Sequence, residues 1–243
     1  MVSSRRWEVD ALRGFAVVLM VIYHCIWDLA FFGIAPINIA ALPWQAFARF
    51  IGTLFLFVLG VSLWLRRVRF GTVWPWALQR GGVLLGLGML ISLTTFLFVG
   101  DSYVRFGMLH LLGTALVLSA LALRAPRLVV VAVALLGIGI GAYLNTESVP
   151  YAWLIWLGLA QRGVAMVDYY PLLPWGCIAL LGTVVARTIY PDAQARLPLP
   201  NIADTPLVWV LRWLGRYALP IYFLHQPILI GILVAYQALA GSG

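Results

Sequence analysis

The stretch RGFAVVLMVIYHCIWD, Arg13 to Asp28, decides the fold. It is apolar enough to sit in a membrane, yet it carries an arginine, a histidine and an aspartate. Extended to about residues 10–32, it reaches the roughly 20 residues that a helix needs to cross a hydrocarbon core. Further apolar runs at about 43–65, 77–98, 105–123, 127–144, 172–190 and 217–239 bring the expected number of spans to seven. The spacing predicts an all-α, polytopic bundle forming one domain over 1–243. The apolar run after MVSSRRW has no small-residue cleavage site, so the first span is expected to be retained.

Composition agrees. The chain is 63% hydrophobic and 10% charged, with a mean hydropathy of +0.99, too little polar surface for a soluble domain. A transmembrane barrel needs short alternating strands, which the long Leu, Val, Ala and Gly runs do not offer. Twenty-three glycines suit close helix packing. The two cysteines, Cys25 and Cys177, fall inside expected spans and make neither a disulfide framework nor a metal site.

All sixteen basic residues are arginine. Their placement at span ends argues for membrane orientation and against nucleic acid. With a cytoplasmic N-terminus, the inner side holds Arg5, Arg6, Arg13, Arg66, Arg67, Arg69, Arg80, Arg124, Arg127, Arg187, Arg196, Arg212 and Arg216. Only Arg49, Arg105 and Arg162 fall outside, and seven spans then put the C-terminus outside. Residues 145–171 form the longest outer connection, with an apolar piece (YAWLIWLGLAQ) that is too short to span. Residues 191–206 form the main inner loop, and 207–216 a short interfacial helix.

Ionisable groups within spans cost about 2.5–3.5 kcal/mol each on insertion scales and so face a bundle interior. At 100° per residue, Asp10, Arg13, His24 and Asp28 share one stripe of the first helix. Arg13 lies toward the cytoplasm, and His24 lies about 16 Å further along the axis, in the outer half. His24 and Asp28 are i and i+4, so the carboxylate can orient the imidazole for general-base chemistry. A polar pair gluing helices is the other reading, and spacing leaves both open. His110 sits about one turn inside the fourth span, after Asp101 and Arg105, at an outer depth similar to that of His24. Asp168, Tyr169 and Tyr170 open the sixth span from outside, where Asp168 also suits a helix N-terminus. Pro227 removes a helical hydrogen bond beside His225 and Gln226, predicting a kink there. Three histidines on three helices at different depths do not favour a metal.

The runs EVDALRGFAVVLMVIYHCIWDLAFFG, VRFGMLHLLG, VDYYPLLPWG and IYFLHQPILI, in this order, resemble short bacterial members of the heparan-α-glucosaminide N-acetyltransferase catalytic-domain family. The blocks extend from about residue 8 to 233. Arg13 and His24 also match the arginine, ten residues, histidine spacing of the wider transmembrane acyltransferase superfamily. The resemblance implies a multi-pass protein of the bacterial cytoplasmic (inner) membrane. It implies acetyl-CoA, or another acyl-CoA, as donor from the cytoplasm, and a sugar or similar acceptor on the outer side. It further implies Arg13, Arg80 and Arg216 at the CoA phosphates, with His225 and Gln226 lining the acyl-CoA channel. His24, backed by Asp28, would be general base or transient acyl carrier. His110, Asp168, Tyr169 and Arg105 would serve the acceptor. No metal is implied, lipid is the surrounding partner, and homo-oligomerisation is left open. The longer lysosomal enzyme carries its key histidine in a lumenal region after the first helix, whereas loop 33–42 here contains none. The rival class is a small proton-coupled transporter using the buried His and Asp residues, although no inverted repeat supports it. A non-enzymatic membrane scaffold is a third.

Overall fold

The computed structural model describes residues 6–192, 194–196, 200 and 202–240. Arg5 of the basic N-terminal segment, residues 193, 197–199 and 201 of the inner loop, and 241–243 lie outside the described residues.

Eight α-helices follow in order among the described residues: α1 (Trp7–Phe31), α2 (Leu42–Phe70), α3 (Trp74–Val99), α4 (Met108–Ala122), α5 (Arg127–Leu144), α6 (Leu172–Ile189), α7 (Pro206–Arg216) and α8 (Ala218–Ala240). A two-residue parallel pairing, β1 (Ser148–Val149) with β2 (Ala160–Gln161), is the only sheet there. The protein is an all-α, membrane-integral helical protein. Among the described residues, six helices, α1, α2, α3, α5, α6 and α8, are long and apolar enough to cross a bilayer.

The fourth apolar run differs from the seven-span expectation. Its helix has 15 residues, which rise about 22 Å against a hydrocarbon core of about 30 Å. The shortening has a local cause. Gly107 is extended, and the first helical N–H, that of Met108, is taken by the Asp168 carboxylate, so the helix cannot begin sooner.

Local chemistry fixes the other ends. Glu8 and Asp10 in the first turn of α1 complement its dipole. Pro75 and Pro206 occupy first-turn positions of α3 and α7, where a missing N–H costs nothing. Pro171 is the N-cap of α6. The α8 helix runs on through Pro227 without ending. Residues 145–171 form a turn-rich loop that does not become helix. Its carbonyls at Trp156 and Leu157 accept the N–H groups of Leu172 and Leu173, so the loop folds onto the start of α6.

The chain divides into two compact units. The first comprises residues up to Phe55 together with those from Pro200 onward; the second is Leu56–Leu199. In the first, α1, the first half of α2 and the start of α8 surround a core of Val17, Met20 and Ile51. The tightest contact is between α1 and α7. A Cβ at Gly14 would collide with the Leu211 carbonyl, and one at Gly215 with that of Asp10. Small residues here let two backbones touch, and the expected short helix 207–216 is thus packed on α1. In the second unit α3 packs on α4, and α6 on both α4 and α5.

Candidate active site

In the first unit, the polar residues of α1 meet those of α8. The rings of His24 and His225 stand edge to face, with centroids 4.7 Å apart at 75°. His24 Nδ1 lies 2.9 Å from the Met20 carbonyl. A carbonyl can only accept, so Nδ1 carries the proton and Nε2 presents its lone pair. The same holds for His225, whose Nδ1 lies 2.7 Å from the Tyr222 carbonyl and 3.2 Å from that of Ile221. Neither is Phe223, whose carbonyl Pro227 frees, so His225 does not repair that gap. His24 is half-buried, and His225 is 8% exposed.

One turn along α1, the fully buried Asp28 accepts a hydrogen bond of 2.6 Å from Gln226 Nε2. No hydrogen bond joins His24 to Asp28, one of the two arrangements that their i, i+4 spacing left open. Each has a better-placed partner: the Met20 carbonyl holds the imidazole, and an amide from α8 meets the carboxylate.

Toward the N-terminal end of α1, Asp10 gathers two arginines. Its Oδ1 lies 2.9 Å from Arg13 Nη1, and its Oδ2 lies 3.7 Å from Arg216 Nε. Arg13 Nη1 also donates to the Gly215 carbonyl at 3.4 Å. Asp10 is 5% exposed, whereas the Arg216 side chain is 43% exposed, so the cluster is anchored inside and open outside. Asp10 lies on the polar stripe, but a role for it was not legible, because Arg216 reaches it only through the α1–α7 contact.

The second unit holds the other expected residues. His110, 4% exposed, occupies the first turn of α4, and its Nδ1 accepts the Gly107 N–H at 3.3 Å. The proton therefore resides on Nε2, the opposite tautomer to His24 and His225, and this imidazole offers a donor rather than a base. A Cβ at Gly88 would meet the His110 ring at 3.0 Å, so α3 gives the ring a flat seat. Asp168 Oδ2 accepts the Met108 N–H at 2.9 Å. Burial raises the Asp168 carboxyl to about 6, with the Met108 N–H pulling the other way. Burial likewise pushes the Tyr169 phenol up to about 12, and that hydroxyl donates to the Ile155 carbonyl at 2.9 Å. Arg105 stacks on Tyr103, 4.3 Å from the ring centroid. Arg80 is exposed on α3. Arg187, 5% exposed, gives two hydrogen bonds to the carbonyls of Ala122 and Ala125, closing the end of α4.

Among the described residues, no group of three or more His, Cys, Asp or Glu is disposed to hold a metal ion. Six long apolar helices among the described residues, and a cluster of two histidines, an aspartate and a glutamine in which Asp28 and His225 are buried, define an integral membrane protein with an intramembrane polar site. The sequence profile described as heparan-alpha-glucosaminide N-acetyltransferase, catalytic, matches residues 5–227 of the 243. The chain belongs to that family, whose function is of the membrane acetyltransferase kind. No curated protein and no solved structure matches it.

Proposed function

We propose that the protein transfers an acyl group, acetyl in the first instance, from cytoplasmic acyl-CoA to a sugar or similar acceptor on the outer side of a bacterial inner membrane. The observation that carries this reading is the tautomer of His24. Its Nδ1–H is spent on the Met20 carbonyl, leaving the Nε2 lone pair available in a half-buried ring.

In the transfer, His24 Nε2 takes the proton from the acceptor hydroxyl or amine as its oxygen or nitrogen attacks the thioester carbonyl. The C–S bond breaks as the new C–O or C–N bond forms, and the proton passes from His24 to the CoA thiolate. The Met20 carbonyl performs the orienting task that a carboxylate performs in a triad. Arg13 and Arg216, held by Asp10, present guanidinium groups suited to CoA phosphates.

The test uses detergent-purified protein and acetyl-CoA. Acetyl-CoA raising the melting temperature, with labelled acetyl appearing on amino sugar or polyol acceptors, supports the proposal. Neither effect over a broad acceptor panel, including longer acyl-CoAs, would overturn it.

A further inference from the structure

The Asp28–Gln226 couple sits in the same cluster as His24 and yet does not touch its ring. Asp28 is fully buried, the single hydrogen bond of its carboxylate comes from an amide, and its Oδ2 has no hydrogen-bond partner. A carboxylate serving as an imidazole's orienter would lie on a ring nitrogen. Here the Nδ1 of both neighbouring histidines is already engaged by backbone carbonyls of its own helix. What the couple does span is the gap between α1 and α8. His24 and Asp28 are four residues apart on one helix, and His225 and Gln226 are adjacent on the other. Two cross-helix contacts therefore occur together, one between rings and one through a hydrogen bond. Fixing the second fixes the register of the first.

We infer that Gln226 and Asp28 are positioning residues, a donor and an acceptor that hold α8 against α1 so that His225 meets His24 edge to face. This rests on the proposed role of His24 and deepens it. What the pairing requires is complementarity: one side must donate and the other accept, and a negative charge at 28 is not itself needed. The titratable groups around the couple are Tyr23 and His24 on α1 and Tyr222 and His225 on α8. Phe47, Ile51 and Phe55 of α2 bring no titratable group to this core.

That requirement separates positioning from catalysis by a carboxylate. Asp28→Asn retains a carbonyl oxygen to accept from Gln226, so transfer should fall no more than about fivefold, the scale of a weakened neutral hydrogen bond. Gln226→Glu sets two acceptors face to face at a separation where carboxylates must share a proton. Its transfer at neutral pH should fall about thirtyfold or more, as expected of a buried group left unsatisfied, and should recover as the pH is lowered. The double variant Asp28→Asn, Gln226→Glu restores a donor and an acceptor in swapped places, and should return to within about fivefold of wild type at neutral pH. Melting temperatures of all four proteins should follow the same order.

Asp28→Asn abolishing transfer while keeping the wild-type melting temperature would overturn the inference in favour of a catalytic carboxylate. So would a double variant no better than Gln226→Glu, or a Gln226→Glu protein with the wild-type pH profile. If no protein transfers acyl groups, wild type included, the enzymatic reading fails. The order of melting temperatures then still decides the couple, rescue by the double variant supporting it and its absence refuting it.

Discussion

His24 on α1 and His225 on α8 stand edge to face with centroids 4.7 Å apart, each with Nδ1 turned to a carbonyl of its own helix. Two imidazoles so held expose the same kind of nitrogen. His225 Nε2 is buried without a hydrogen-bond partner, whereas His24 is only half-buried. Replacing His225 by Phe should keep the fold, because a phenyl ring can make the same ring contacts with His24 and Tyr222. Melting temperature checks this; a drop as large as that of His225→Ala would show that the ring nitrogen matters to stability.

Asp10 is the buried counter-charge of two arginines. Asp10→Ala should destabilise the protein by about 1.5 kcal/mol, the low end for a lost hydrogen bond between charged groups, because both guanidinium groups keep contact with solvent. Arg13→Ala should weaken CoA binding about tenfold or more, the scale of a lost charge-assisted hydrogen bond. Isothermal titration with CoA and with dephospho-CoA measures the second effect.

The α1–α7 contact depends on backbone approach. Gly215→Val places a side chain on the Asp10 carbonyl, so it should cost at least about 2 kcal/mol and dislodge Arg216 from Asp10. Gly231→Val is a control, because no atom lies within 4 Å of a Cβ there. Paired melting curves distinguish the two.

Asp168 supplies a pH dependence with a definite sign. Its carboxyl titrates at about 6 when folded, against 3.8 ordinarily. Between those values the folded state binds the proton more tightly, so stability is highest below about 4 and falls as the pH rises toward about 6. Asp168→Asn removes this slope while its side-chain carbonyl still accepts from Met108. Melting temperature across that interval, wild type against variant, measures the difference.

The spans were legible because apolar runs of helical length between arginine-bearing ends leave few alternatives. Where α4 starts was not, because its first N–H is capped by Asp168, 60 residues further along the chain. The polar stripe of α1 was legible for a similar reason: helical periodicity places Asp10, Arg13, His24 and Asp28 on one side. Their partners were not. An i, i+4 spacing shows which residues are neighbours on a helix, but Asp28 is paired with Gln226 across the α1–α8 contact and His24 with a backbone carbonyl. The tautomer of His110 was equally hidden, since it is set by the Gly107 N–H in the first turn of α4.

His24 is where the functional reading is most exposed to test. The decisive measurement is acyl transfer from acetyl-CoA by purified His24→Ala, alongside wild type, with melting temperature as the check on folding. The expected result is a loss of about a hundredfold to ten-thousandfold in transfer, as for removal of a general base, with folding and CoA binding retained. Transfer at the wild-type rate by His24→Ala would contradict it.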